Sequence, residues 1–388
     1  MPIVSWPASS AARRREPGAL SRALAALAFA LLATAAVAED TWGKVERIVA
    51  VGDVHGDYDQ LVAVLRDALL VDAQLAWSGG RTHLVQTGDR IDRGPDSRKI
   101  MDLFIRLEKE ARKAGGAVHS LTGNHEAMNV LGDFRYVTAE EFAAFETPDS
   151  KRSLEALFER FVDETRGEKK APPTEAEVAK WRQAHPPGYV EYKAALSPKG
   201  EYGSWIVRQN AIIRIGDTLF LHGGLSAKYG DFSLADINER IRQELREADP
   251  RAALMSRDPD GPLWFRGFAQ GDPALERDLA EVLRRTGCKR MVVGHTPTEG
   301  LVLPRYGGRV LQIDVGLAKV FGGPPAALVI EEGAPFALHR GHRVALPAEP
   351  GAVLRYVREV AALEPDPKRF AATIASLESA LSAAPLVP

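Results

Sequence analysis

Cysteine is nearly missing from this sequence: Cys288 is the single thiol in 388 residues. That excludes an internal disulfide and any thiolate-cluster metal site, so a bound metal must be held by Asp, Glu, His or Asn. A surplus of one charge is missing as well. Against 50 Lys and Arg stand 52 Asp and Glu, a net charge of −2, without the basic excess that a nucleic-acid footprint carries. No internal repeat is visible. What is present is 45% hydrophobic and 26% charged residues, enough for one large α/β core or two modest domains and too few signs of long disorder.

One long apolar run stands apart, near the start. Arg13, Arg14, Arg15 and Arg22 precede the Ala- and Leu-rich stretch Ala23 to Ala36, which ends in Ala36-Val37-Ala38 and is followed by Glu39-Asp40. A positive start, a short apolar run and an A-x-A ending make residues 1–38 a secretory signal peptide, with cleavage expected near Ala38. The run is too short to span a bilayer comfortably, so no stable membrane anchor is expected. The arginine triplet hints at twin-arginine export, but Glu16-Pro17 after it fits that route poorly. Cleavage removes four arginines and Glu16 and moves the net charge from −2 to −5, giving a mildly acidic periplasmic or secreted protein.

Beyond the leader, five short apolar runs each end in a polar cluster. Arg47 to Val51 leads into Gly52-Asp53-Val54-His55-Gly56-Asp57. His83 to Gln86 leads into Gly88-Asp89-Arg90-Ile91-Asp92-Arg93-Gly94. Ala117 to Leu121 leads into Gly123-Asn124-His125-Glu126. Thr218 to Leu221 leads into His222-Gly223-Gly224, and Arg290 to Val293 leads into Gly294-His295-Thr296-Pro297. Helical patterns over Tyr58 to Leu70 and Pro95 to Lys113 lie between the first runs. Continuous apolar strands alternating with helices predict an α/β fold with covered sheets, and polar residues just past strand ends sit where such folds place their sites. Residues 139–200 are charged, helix-forming and broken by Pro172-Pro173 and Pro186-Pro187, which predicts a largely helical insertion capping the site. After Asp314, strands and one helix (about Asp366 to Ala384) are expected to close the chain.

Asp53, His55, Asp89, Asn124, His222 and His295 thus each follow an apolar strand beside a glycine, which lets backbone approach a ligand closely. Any one of them alone would be ordinary, an Asp as a helix N-cap or a His as a hydrogen-bonded structural residue. Together they form a ligand set of oxygen and imidazole suited to Mn, Fe or Zn. Two metals need about six protein ligands, including a bridging carboxylate. Asp89 is the natural bridge, because Asp53 already shares its loop with His55. His83, His119, His185, His339 and His342 lack this setting and read as structural or surface residues.

In order, GDVHGD, GDRIDRG, GNHE, HGG and GH resemble the motifs of the calcineurin-like metallophosphoesterases. The GD-x-x-DRG and GNHE forms are similar to the phosphoprotein phosphatase branch. Gly203-Ser204-Trp205, Gly261 to Arg266 and Asp314-Val315-Gly316 further resemble the bacterial Shewanella-like protein phosphatases, over about Arg47 to Leu317. The resemblance implies a four-layer α/β/β/α sandwich, with residues 39–330 as the catalytic domain and 331–388 as a strand-and-helix extension. It implies Asp53 and His55 on one divalent metal, Asp89 bridging, and Asn124, His222 and His295 on the second, with manganese expected and iron or zinc as alternatives. His125 would be the general acid, Asp92 would hold its other nitrogen, and Arg93, Asn124 and Arg266 would bind phosphate oxygens. The implied reaction is attack of a metal-activated water on phosphorus, aided by proton donation to the leaving group. The expected partner is a phosphorylated protein, of serine/threonine or tyrosine type, or a small phosphoester. A dinucleoside polyphosphate hydrolase is the alternative enzyme. A non-catalytic binding protein would have lost a ligand or His125, and none is lost.

Overall fold

The run Arg47–Val51 (β2) has hydrogen-bonded strands on both sides and is buried from Ile48 onward, which is why its pattern is continuous and not alternating. The computed structural model describes residues 39–383 apart from 253, 348 and 367. The signal-peptide reading falls on residues 1–38, outside the described residues.

Before β2 lies β1 (Thr41–Trp42), and after it come α1 (Tyr58–Asp67), β3 (His83–Gln86), α2 (Ser97–Lys113), β4 (Ala117–Ser120) and α3 (Asn124–Val130). The helical insertion follows as α4 (Ala139–Ala143), α5 (Ser150–Lys169), α6 (Glu175–Ala184), α7 (Tyr189–Leu196) and α8 (Gly203–Ile206). The second half comprises β5 (Ile212–Ile215), β6 (Thr218–Leu221), α9 (Leu234–Glu247), α10 (Gly267–Gln270), α11 (Glu276–Thr286), β7 (Arg290–Val293), β8 (Leu303–Arg305) and β9 (Val310–Gln312). Last come β10 (Ala326–Glu331), β11 (Ala334–His339), β12 (His342–Ala345), α12 (Val353–Ala361) and α13 (Ala371–Ala383).

The strands form two six-stranded mixed sheets, ordered β12-β11-β10-β2-β3-β4 and β1-β5-β6-β7-β9-β8. In the first, β2, β3 and β4 run parallel; in the second, β6, β7 and β9 do. Parallel strands put all their C-terminal ends on one rim, and that rim carries the five polar clusters. Helices cover the sheets, as in α2, whose Ile100, Met101, Phe104, Leu107 and Ala111 recur at helical spacing and are buried while its charged face is exposed. Burying Phe104 fully contributes on the order of 1.5–3 kcal/mol. One continuous apolar core reaches into both sheets.

The insertion divides into an inner and an outer part. Phe142 of α4 and Tyr192 and Leu196 of α7 are buried, whereas α5 and α6 have no fully buried apolar side chain. Those two outer helices hold together through Phe158, Phe161 and Trp181, with ring centroids 5.0 and 5.7 Å from the tryptophan. The sequence suggests one helix after Asp314; among the described residues there are two, α12 and α13. The extra one, α12, buries Tyr356, Val357 and Val360 along one face, and the Tyr356 hydroxyl donates to the Val302 carbonyl. Past residue 330, β11 and β12 continue the sheet directly from β10, which itself pairs with β2.

Candidate metal centre

Five rim residues other than glycine adopt left-handed backbone: His55, Asp89, Asp92, Arg93 and His295, with φ from 46° to 70°. Such conformations cost energy and persist only where the surroundings hold them. Here the hold is visible. The Val54 and His55 amides both donate to the Asp89 carbonyl, at 2.9 and 3.0 Å, tying the first loop to the second. Glu126, wholly buried, accepts from the Asp89, Arg90 and Gly123 amides, each at 2.8 Å, tying the second to the third. Its counter-charge is Arg90, 3.5 Å away, which also donates to Gln86, Leu121 and Gln209 and lies 5.0 Å under the Trp205 ring. Trp205 of the Gly203-Ser204-Trp205 segment therefore packs on the arginine that neutralises Glu126. Gly294 is required by space: a Cβ there would come 2.5 Å from Asp53 Oδ1.

The side chains on these loops converge lone pairs. His222 Nδ1 lies 3.0 Å from the Thr87 carbonyl, so that nitrogen carries the proton and Nε2 presents a lone pair. That Nε2 is 2.8 Å from Asn124 Oδ1 and 3.2 Å from Asp89 Oδ2, three acceptors with no hydrogen to share. His55 repeats the arrangement: Nδ1 faces the Ile91 carbonyl at 3.1 Å, leaving Nε2 at 3.8 Å from Asp89 and 3.9 Å from Asp53. His295 Nε2 is buried with no hydrogen-bond partner, while the His295 amide donates to Asp53 at 3.0 Å. Backbone carbonyls orienting the far nitrogen, as at His222 and His55, are what metal-binding histidines use. His55 with Asp89 and His125, and Asp89 with His222 and His295, form two groups able to hold a cation, and Asp89 belongs to both. The buried oxygen and imidazole donors of each group are ones a divalent ion takes.

Next to these lies His125, at the start of α3. Its Nδ1 is 2.5 Å from Asp92 Oδ2, and its Nε2 faces the site, 3.7 Å from Asp89. Asn129 donates to the other Asp92 oxygen at 2.9 Å. The Arg93 guanidinium sits between two half-exposed rings, 4.5 Å from Tyr136 and 5.4 Å from Phe321. Tyr136 also packs 4.9 Å from the His125 ring, and Phe321 lies 5.7 Å from His55. Arg266 is drawn to the opposite side, where it donates to the His295 carbonyl at 2.6 Å and to Thr296 at 3.2 Å.

Residues 46–299 match the family model of the calcineurin-like phosphoesterases. Shewanella-like protein phosphatase 2 of Arabidopsis thaliana is 32% identical over 292 residues, 71% of this chain and 72% of that protein. The chain is a calcineurin-like phosphoesterase of the Shewanella-like protein phosphatase group. Shewanella-like protein phosphatase 1 of Plasmodium berghei is 27% identical over 283 residues, 70% of this chain and 67% of its own. The solved cold-active protein-tyrosine phosphatase of a psychrophilic Shewanella species superimposes with a TM-score of 0.61 at 27% identity, covering 79% of this chain and 82% of that one.

The phosphatase site is electrostatically prepared for cations. Burial, with His222 and Arg266 adding to it, lowers His295 to about 2, and burial lowers His55 to about 3, so both rings are neutral and free to ligate. Burial resists ionisation of Asp89, but His222, His125 and His55 outweigh it and hold the carboxyl well below its usual range. Asp53 is pushed well up by burial, then by Asp314 and Asp89. Crowded carboxylates without a counter-ion are the charge a bound cation neutralises.

Of the ten site residues expected from the sequence, nine lie on the loops of this rim, and Arg266, at the start of α10, reaches it through the His295 carbonyl. What sequence reasoning left out is the support: Glu126, Arg90, Asn129, Glu141, Tyr192 and the two rings Tyr136 and Phe321. Glu126 could have been found from its place in the Gly123-Asn124-His125-Glu126 cluster. The others carry no local signal, because their partners are distant in sequence. His83 and His119 lie outside the rim, where they contact each other at 3.0 Å.

Proposed function

We propose that this phosphatase is a two-metal phosphomonoesterase acting on phosphotyrosine in proteins. The observation that carries the metal reading is the convergence of His222, Asn124 and Asp89 lone pairs with no proton between them. Asp53 and His55 would hold one ion and Asn124, His222 and His295 the other, with Asp89, the residue common to both donor groups among the described residues, serving both. When bound, divalent ions supply an activated water and absorb charge on the phosphoryl oxygens; manganese suits this hard, thiolate-free donor set, as iron or zinc would. Arg93 and Arg266 approach the phosphoryl group from opposite sides, Arg93 as a planar fork able to bind two oxygens. His125 donates the proton from Nε2 to the leaving oxygen, and Asp92 holds the ring from behind.

The leaving group is aromatic on this reading. Tyr136 and Phe321 are exposed rings flanking Arg93 at the mouth, a surface that accepts a phenyl group and gives an alkyl chain little to pack against. The protein-tyrosine phosphatase named among the similar structures supports the same preference. The test compares kcat/KM on a phosphotyrosine peptide, the matched phosphoserine peptide and a dinucleoside tetraphosphate with manganese-loaded protein. The phosphotyrosine peptide is expected to lead; a faster dinucleoside rate would overturn the assignment.

The phosphatase is further proposed to act in the periplasm after cleavage near Ala38. The first strand, β1, starts at Thr41, so cleavage there leaves the fold whole. N-terminal sequencing of the soluble protein from its native host is expected to begin at or near Glu39; finding Met1 or Pro2 would refute export.

A further inference from the structure

Behind the Asp92–His125 pair lies a buried polar chain that the reaction as described does not use. Asn129 donates to Asp92 Oδ1 and to the His125 carbonyl, both at 2.9 Å, and its Oδ1 accepts from the Tyr192 hydroxyl at 2.8 Å. Glu141 Oε1 accepts from the Asp92 amide at 3.1 Å and lies 3.4 Å from the same Tyr192 hydroxyl. Asp92, Glu141 and Tyr192 are completely buried and Asn129 nearly so. Glu141 and Tyr192 come from α4 and α7, the inner helices of the insertion, not from the motif loops.

The proton inventory of this chain is restrictive. Tyr192 has one hydroxyl proton, and Asn129 Oδ1 takes it. Glu141 then faces a lone pair across the 3.4 Å contact unless it carries a proton itself. Its Oε2 is buried without a well-formed hydrogen bond, and the loose contact of the Ser97 hydroxyl with Glu141 offsets only part of what that would cost a carboxylate. Burial first, and the Asp92 charge second, push Glu141 up to about 8. Glu141 thus favours its neutral form near neutral pH, and the negative charge paired with His125 rests on Asp92, which the His125 and Asn129 hydrogen bonds support against its burial.

We propose that Glu141 and Tyr192 are positioning residues for the Asp92–His125 pair, through which the insertion fixes the direction in which His125 presents its proton. This rests on His125 being the general acid. Asp92 has one anchor on its backbone, from Glu141, and one on its side chain, from Asn129 and so from Tyr192. With both in place the carboxylate cannot swing, and the imidazole it holds cannot rotate away from the leaving oxygen.

Tyr192→Phe deletes one hydroxyl and keeps the ring. On phenyl phosphate, whose leaving phenoxide needs a proton, kcat is expected to fall about tenfold, a fraction of what a general acid contributes. On p-nitrophenyl phosphate, whose leaving group is a much weaker base, the loss should stay under about twofold, with KM and metal content unchanged. Glu141→Ala should show the same split, and Glu141→Gln should restore most of it, because a neutral amide still accepts from the Asp92 amide. Equal losses on both esters, no loss on either, or Glu141→Gln no better than Glu141→Ala would each overturn the proposal. His125→Asn in the same assay separates the two readings. If it shows the split and Tyr192→Phe does not, only the positioning role falls. If His125→Asn loses both esters equally, the general-acid assignment falls and the positioning role with it.

Discussion

The motif loops and the helical insertion reach the same site by opposite routes. The loops are short, begin at strand ends and carry the reactive groups on strained left-handed backbone, braced by Glu126 and by loop-to-loop amide bonds. The insertion contributes no donor to either cation group; it delivers Glu141 and Tyr192 from beneath, while its outer helices α5 and α6 bury almost nothing. What this teaches is a division of labour. Residues that must be positioned to within about an ångström for the chemistry are placed by the sheets, and those that restrain them can come from an inserted element.

The strongest way to break that contrast is at the loops. Asp89→Asn keeps the shape but removes the charge common to both cation groups, and should lose at least one metal by elemental analysis. Activity should drop on the order of 10³-fold, matching several kcal/mol of lost charge stabilisation. Two metals retained at wild-type rate would show that Asp89 is no bridge. A smaller effect is expected at the rim. Tyr136→Ala combined with Phe321→Ala should cut the preference for phosphotyrosine over phosphoserine peptide about tenfold, in line with about 0.5–1.5 kcal/mol for an aromatic pair. An unchanged ratio would remove the rings from specificity.

At the inner insertion, the expected effect appears in stability. Glu141 titrates near 4.5 when unfolded and is raised to about 8 when folded, by burial and then Asp92. Between those values the folded state keeps a proton that the unfolded chain has lost, so this group's contribution falls as pH rises. Glu141→Gln has no such proton. Its metal-free melting temperature should therefore gain on that of the metal-free wild type from about pH 5 to about pH 8. A constant difference across that range would mean that Glu141 is ionised in the fold. The smallest effect belongs to the outer helices: replacing residues 150–184 by a short Gly-Ser linker should change kcat on p-nitrophenyl phosphate less than about twofold, since no core packing is lost. A large loss there would erase the distinction between inner and outer insertion.

Sequence and structure agree where information is local. Arg47–Val51, His83–Gln86, Thr218–Leu221 and Arg290–Val293 are strands over the expected residues, because apolar runs ended by Gly-Asp or His-Gly leave little choice. Agreement fades where a residue's meaning depends on a distant partner. Nothing around Glu141 distinguishes it from exposed Glu140, yet one is buried against Asp92 and the other faces solvent. Tyr136 reads as an ordinary loop aromatic until the Arg93 guanidinium is found over its ring. The helix α12 is amphipathic enough to find, but the Pro347 to Gly351 stretch before it reads as loop and masks its start.

The pairing of β2 with β10 has a consequence for how the chain comes to be folded. Ile48 lies opposite Ile330, and Thr41 of β1 opposite Arg214 of β5. The strand that supplies Asp53 and His55 thus stays one-sided until nearly the whole polypeptide has been made, and contacts of such long sequence separation form slowly. During that interval the rim cannot assemble, because its first loop has no finished sheet beneath it. Cation affinity should consequently appear late in refolding, after the slowest strand pairing and not with the early collapse.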